Sequence, residues 1–310
     1  MQKMEKPQIS VVIATYKRLE LLCRAIDSVL IQDYSDIEVI IVDDNGLGSA
    51  EQIETEKMIR QKYSDKRIRY IANKKGMGGG GARNEGIKAS KGEFIAFLDD
   101  DDDWLPGKLT KQIKVFSESS NDTGVVDTGF YTINEKSENI YQSPELQGWI
   151  LDDLIAKTDK RAPRLSTMLC RKSALDQAGY FDPALKSRQD LDLNIRLSRI
   201  CRYASIDEPL ANKRYDASVR ISTNVHSKLQ GYEILYRKNI DEYKRRPNAH
   251  ADYLIKHSVF LLVCGYYLEA LKKIICAFYL VKFNPLKVLK YNKKILGRMY
   301  RIKIRHKLMT

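Results

Sequence analysis

The chain has 310 residues, 43% apolar and 30% charged, which is enough to bury a sizeable core. This composition excludes collagen-like, disordered and disulfide-scaffold classes. The net charge of +13 is unevenly held: residues 1–240 carry 37 Lys+Arg against 36 Asp+Glu, and residues 241–310 carry 16 against 4. We therefore expect a charge-balanced domain over 1–240 and a basic helical region over 241–310.

Ile9 to Ala14 is a short run rich in β-branched residues, suited to a strand buried on both faces. Lys17 to Ile31 follows with helical spacing, placing Leu21, Leu22, Ala25, Ile26 and Val29 on one face. Ile37 to Val42 reads as a second buried strand ending at Asp43-Asp44. Glu51 to Tyr63 reads as a helix and Ile68 to Ala72 as a third strand. After a glycine cluster come a helix over Ala82 to Ala89, a fourth strand over Glu93 to Leu98, and a helix over Leu105 to Ser117. Strands alternating with helices at this spacing predict βαβ units and a mainly parallel, Rossmann-like α/β sheet. Beyond Asn121 the pattern weakens to a strand over Thr123 to Tyr131, a short helix within Gly148 to Ala156, and helices over Lys172 to Ala178 and Leu191 to Ile200. The tail from Asn224 reads as almost wholly helical.

In such sheets the ligand crevice lies beyond the carboxyl ends of the strands. Three polar clusters fall there: Thr15-Tyr16, Asp43-Asp44 and Asp99 to Asp103. Five adjacent carboxylates repel one another. They are either a solvated loop whose Asp103 caps the next helix, or oxygen ligands for Mg²⁺ or Mn²⁺, which would neutralise a departing diphosphate. One of Asp43 and Asp44 begins the turn at Asn45-Gly46. The other is placed to accept a hydrogen bond from a base, with Thr15 and Tyr16 lining the same base. Gly76, Gly78 and Gly81 satisfy Gly-x-Gly-x-x-Gly with Asp99 about 20 residues on, so an NAD-type dinucleotide-binding oxidoreductase is a rival reading. Against it, the fingerprint belongs at the first βα turn, which here has no glycine. Arg83, at a helix start, is either a surface cation or a phosphate ligand. Asp190 and Asp192 open a later helix, either as first-turn acids or with one of them as a general base. His226 has no metal-ligand company.

These motifs together resemble the family-2 glycosyltransferases, which have a GT-A fold. The resemblance covers roughly residues 8 to 215. It rests on Val11-Val-Ile-Ala-Thr-Tyr-Lys17, Glu38-Val-Ile-Ile-Val-Asp-Asp44, Gly81-Ala-Arg-Asn-Glu-Gly86, Gly92-Glu-Phe-Ile-Ala-Phe-Leu-Asp-Asp-Asp-Asp102, Gly179-Tyr-Phe-Asp182 and Gln189-Asp-Leu-Asp-Leu193. It implies a nucleotide-sugar donor, UDP by expectation, with Thr15 and Asp43 at the nucleoside and Arg83 near the diphosphate. Asp99 and Asp101 would form the Asp-x-Asp metal pair, Asp99 toward the ribose and Asp101 on the metal, although five aspartates blur the pair and admit Asp100 to Asp102. Asp190 would take the acceptor proton in an inverting single displacement. The Gln-x-x-Arg-Trp motif of processive membrane synthases is absent, which points to transfer of one sugar or few.

The five cysteines are odd in number and widely spaced, which suits a reduced, cytosolic compartment. Met1 to Gln8 carries no apolar signal segment. Val259 to Phe283 is apolar but interrupted by Glu269, Lys272 and Lys273, against a spanning helix. Basic clusters at Lys272-Lys273, Lys287 to Lys294 and Arg298 to Lys307 alternate with Phe, Tyr, Leu and Ile. That pattern suits an anionic membrane surface rather than nucleic acid, for which no module is present. A lipid-linked saccharide acceptor at the inner face of the cell membrane follows as an expectation. A third reading, a non-catalytic membrane- or phosphate-binding protein, rests on the tail alone.

Overall fold

The computed structural model describes residues 9–133, 138–157, 162–214 and 225–307. Cα packing divides the chain into two compact units. Counting described residues, the first spans 9–133, 138–151, 162–184 and 189–214, and the second spans 152–157, 185–188 and 225–307.

The first unit is built on β1 (Ile9–Thr15), β2 (Ile37–Asp43), β3 (Ile68–Ala72) and β4 (Phe94–Asp99), joined in parallel in the order β3-β2-β1-β4. The helices α1 (Leu19–Leu30), α2 (Ala50–Lys62) and α3 (Gly78–Ala89) are the crossovers. Every residue of β2, and all but Ala14 of β1, is buried, as continuous apolar runs require in a sheet covered on both faces. Gly86 of α3 lets the helix approach β1, since a Cβ there would lie 2.3 Å from Val12 Cγ1.

Beyond β4 the sheet becomes mixed. It continues through β8 (Leu169–Arg171), β6 (Thr123–Ile133), β9 (Arg202–Arg214) and β5 (Asp102–Trp104), with β7 (Asn139–Gln142) paired to β6. Two of these strands have no sequence signal. β5 is cut from the aspartate run, and β9 carries only partial alternation. β5 forms because Asp102–Trp104 pair antiparallel with Ala211–Lys213, where Lys213 meets the Asp102 carboxylate and the Asn212 amide donates to Asp103. Between these strands lie α4 (Lys108–Glu118), α6 (Lys172–Ala178) and α7 (Gln189–Leu197). The helix α4 starts after Gly107 in the left-handed region, so Asp103 does not cap it.

The second unit is helical: α5 (Leu151–Lys157), α8 (Val225–Lys238), α9 (Ile240–Lys244), α10 (Pro247–Val263), α11 (Tyr267–Leu280) and α12 (Pro285–Lys307). Leu254, Ile255 and Val259 of α10, Ala277 of α11, and Tyr291 and Ile295 of α12 share one core. Tyr232, Tyr236, Tyr243 and Tyr253 pack in stacked, tilted and edge-on pairs with His250 and His257 in a largely buried aromatic cluster. His226 is exposed in the first turn of α8. Among the described residues no helix is long and apolar enough to cross a membrane.

Candidate active site

The site begins with strand register. Thr15 lies beside Asp43 across β1 and β2, and Ala14 lies beside Asp99 across β1 and β4. The three clusters therefore share one carboxyl edge, at the place where the sheet order turns back on itself from β2-β1 to β4. A parallel sheet leaves a crevice at such a point.

The aspartates then diverge. Asp99, Asp101 and Asp102 each bring a carboxylate oxygen within 4.8 Å of the others. Asp100 turns back into the domain, where Oδ2 accepts Thr15 Oγ1 at 2.9 Å and Oδ1 meets Arg18 Nη1 at 3.0 Å. Asp103 also turns away, onto Asn212 Nδ2 at 2.7 Å and Arg214 Nε at 2.6 Å. The split is not simple strand alternation: Asp100 and Asp101 form a turn between β4 and β5, and that turn lets the consecutive Asp101 and Asp102 face the same point as Asp99.

Three cations hold this acid together, of which the sequence singled out Arg83 but neither Lys213 nor Arg18. Arg83 Nη2 donates to Asp99 Oδ1 at 2.6 Å, and Lys213 Nζ stands 3.3 Å from Asp102 and 3.9 Å from Asp99. Arg18 Nη1 also reaches Asp101 at 2.9 Å. Burial pushes the Asp102 carboxyl up to about 7, against the pull of Lys213. Asp100 is likewise raised by burial to about 6, with Arg18 opposing. Burial also acts to raise Asp99, but the charges of Arg83, Lys213 and Arg18 outweigh it and hold that carboxyl below its ordinary range.

A 3-10 turn at Leu165–Thr167 supports the cluster from beneath. The Ser166 hydroxyl accepts the Asp99 N–H at 3.2 Å and donates to Asp102 Oδ2 at 2.6 Å. Trp104 Nε1 donates to the Ser166 carbonyl at 2.7 Å, which makes buried Trp104 part of the scaffold. Among the described residues, Asp102 Oδ1 is buried with no hydrogen-bond partner. An orphaned carboxylate oxygen beside two further carboxylates is an all-oxygen donor set, the kind that hard divalent cations take.

The other expected residues are placed as follows. Asp43 is fully buried, with Oδ1 accepting Asn45 N–H at 2.8 Å and Oδ2 accepting the Tyr70 hydroxyl at 2.6 Å. Tyr16 is 42% exposed at the mouth of β1. The side chain of Gln189 touches the glycine segment and accepts from Arg83 Nη1 at 3.4 Å, which brings the start of α7 to the Arg83 side of the site. On α7, Asp192 is buried and paired with Arg196 at 2.8 Å. Asp190 is half-buried, with Oδ1 accepting Leu191 N–H at 2.9 Å and Oδ2 lying 3.9 Å from Arg164.

The glycine segment is not an open phosphate cradle. Gly78 to Gly81 form the first turn of α3, four residues earlier than the sequence predicts. Asp44 causes the extension: its carboxylate accepts the N–H of Met77 at 2.8 Å and of Gly78 at 2.7 Å. A fixed anion thus sits where a dinucleotide would place its pyrophosphate, and the oxidoreductase reading is set aside.

A mixed sheet with an acidic cluster at its parallel carboxyl edge, flanked by Arg83 and a helix-borne acid, is the glycosyltransferase architecture of GT-A type. Residues 10–178 match the glycosyl transferase family 2 domain. An uncharacterized glycosyltransferase of Rickettsia prowazekii is 31% identical over 238 residues, covering 76% of this chain and 72% of its own. The putative colanic acid biosynthesis glycosyl transferase WcaA of Escherichia coli is 32% identical over 249 residues, covering 77% of this chain and 84% of its own. The crystal structure of S. aureus TarS in complex with UDP-GlcNAc shares the fold, with a TM-score of 0.57 at 18% identity over 87% of this chain and 89% of that one. The chain belongs to glycosyl transferase family 2 and is a glycosyltransferase. Membership also sets aside the reading of a non-catalytic binding protein.

Proposed function

We propose that this enzyme transfers a sugar from a UDP-sugar to a saccharide hydroxyl with inversion, assisted by Mn²⁺ or Mg²⁺. The observation that carries this reading is the convergence of Asp99, Asp101 and Asp102 at the crevice with Arg83 on Asp99. Of the donor set, Asp101 is the most open to solvent, and Asp102 contributes the orphaned oxygen. A divalent ion held there supplies charge neutralisation for the diphosphate leaving group.

The chain's own groups do the rest. Arg83 offers a planar cation to phosphate oxygens, released in part from Asp99 when that carboxylate takes a different partner. Thr15, Tyr16 and Asp99 frame the nucleoside and ribose side, and Asp100, expected there from the sequence, acts from behind by holding the Thr15 hydroxyl. Asp43 would meet the base imide only if that N–H joins or replaces the Tyr70 hydroxyl on Oδ2. Asp190 accepts the proton of the acceptor hydroxyl as that oxygen attacks the anomeric carbon, and the bond to the UDP oxygen breaks on the opposite face. The half-buried setting of Asp190 leaves it reachable by an acceptor, whereas buried Asp192 is committed to Arg196.

The relative named for colanic acid biosynthesis supports surface-polysaccharide assembly as the setting. Together with the basic region over 241–310, it favours a lipid-linked acceptor and a peripheral position at the inner face of the cell membrane. The direct test is thermal stability with UDP, GDP, CMP and NAD, each with and without Mn²⁺. UDP at about 100 times its dissociation constant adds roughly 2.7 kcal/mol. A UDP shift that needs Mn²⁺ upholds the proposal. A shift with NAD alone, or none with UDP and Mn²⁺, overturns it.

A further inference from the structure

A surface helix of a folded unit needs one apolar stripe, turned to the core. The helix α11 has two. Ala270 and Ala277 lie fully buried on its inner side, in or against the core of the second unit. On the other side Leu268, Leu271, Ile275 and Tyr279 follow at spacings of three and four residues, and all are exposed: Leu268 by 72% and Tyr279 by 74%. The exposed series continues through Phe283 in the connecting turn to Leu286, which is 79% exposed at the start of α12. Nothing among the described residues covers this face.

Charge says what does. From Leu268 to Thr310 the chain carries 12 Lys and Arg and a single acid, Glu269. Lys272 and Lys282 are exposed next to the apolar series, and Lys290 and Lys293 are exposed on α12. None of these four pairs with a carboxylate among the described residues. An apolar ridge edged by unneutralised lysines matches the boundary between acyl chains and anionic headgroups. Pairing of this face with a second copy would bring the same lysines against one another, because a two-fold interface opposes identical patches. A nucleic-acid backbone would leave Leu268, Ile275 and Leu286 without partners.

We infer that the α11–α12 face is a membrane-docking surface that inserts Leu268, Leu271, Ile275, Tyr279, Phe283 and Leu286 into an anionic phospholipid leaflet. The inference gives the membrane placement proposed above a defined surface, and it rests on that reading for its setting. Neither helix crosses the bilayer, since no described helix is long and apolar enough. Both lie in the interface plane, anchored by the apolar ridge and held by the lysines.

The test is co-flotation of the full chain with vesicles of phosphatidylcholine alone or with added phosphatidylglycerol. Binding is expected to need the anionic lipid and to weaken with salt. Replacing Lys282, Lys290 and Lys293 by Gln should lower partitioning to the anionic vesicles roughly fivefold per lysine, or about a hundredfold together. Leu268→Ser with Ile275→Ser should lower it by a similar factor at unchanged lipid charge. Both variants alter exposed side chains, so their melting temperatures should match that of the parent. Equal binding to both vesicle types, binding unchanged in both variants, or self-association through these residues without vesicle binding would overturn the inference. The Mn²⁺-dependent UDP shift is measured without lipid, so failure of docking and failure of the enzyme reading are told apart.

Discussion

Two aspartates on one short helix should respond in opposite ways to the same substitution. In Asp190→Asn the amide oxygen still accepts the Leu191 N–H, and the loss is the attraction to Arg164 at 3.9 Å between side chains about one-third exposed. Such a pair contributes less than about 1 kcal/mol. At roughly 2–4 °C per kcal/mol for a unit of this size, the melting temperature should fall by no more than about 4 °C. If Asp190 is the base, kcat should fall about 10²- to 10⁴-fold, a barrier increase of roughly 3–5 kcal/mol. UDP affinity should hold, because the base acts only in the chemical step. In Asp192→Asn a buried ion pair with Arg196 is broken, and Arg196 also binds the carbonyls of Ala178 and Tyr180. Removing one partner of such a pair costs about 3 kcal/mol or more, which lowers the melting temperature by roughly 6–12 °C. Single-turnover transfer assays and thermal melts on both variants separate the roles. Transfer by Asp190→Asn within about threefold of the parent would remove Asp190 from the mechanism. A melting loss equal to that of Asp192→Asn would make it a structural residue.

Asp102→Asn should weaken Mn²⁺ binding more than the roughly 10- to 100-fold typical of outer-shell changes, whereas Ser166→Ala, which only orients Asp102 and Asp99, should fall inside that range in a metal titration. Gly86→Ala should destabilise the first unit by about 1–3 kcal/mol, because its Cβ meets Val12 Cγ1, and Val12→Ala in the same chain should recover part of that loss in a denaturant titration. Burial, with Lys273 and Arg188 adding to it, pushes His257 down to about 3, with Glu233 at 3.5 Å and the rings of Tyr232 and Tyr253 also facing it. The unfolded chain binds this proton below about 6.5 and the folded chain does not, so stability falls as pH drops from about 6.5 toward 3. By pH 4.5 the loss is roughly 3 kcal/mol. His257→Phe, which keeps the stacking, should flatten that slope in melts across the range. An unchanged slope would mean that other groups set the acid sensitivity.

Much of the first unit was legible from periodicity. Continuous β-branched runs at Ile9 to Ala14 and Ile37 to Val42 can be satisfied only in a sheet covered on both faces, and helical spacing between them fixes parallel crossovers. The polar clusters at the strand ends therefore had to share one edge. The helix α3 exceeded its predicted start because four glycines are poor helix formers by themselves, and only the carboxylate of Asp44, distant in sequence, ties their first turn. The strands β5 and β9 were invisible for a similar reason. Aspartates have low strand propensity, and their pairing depends on Asn212, Lys213 and Arg214 more than 100 residues away.

Sequence by itself determined the layered α/β architecture of the first unit, the edge at which the ligand groups gather, and the concentration of positive charge after residue 240. These follow from local period and composition, which need no knowledge of distant partners. Tertiary structure alone decided which aspartates of the run face one another, which of Asp190 and Asp192 stays open, and where the tail leaves an apolar face uncovered. Those outcomes depend on which side chain a fold brings opposite each group. Five identical carboxylates in a row carry no mark of that choice until Arg18, Ser166, Asn212 and Lys213 arrive from elsewhere in the chain to divide them.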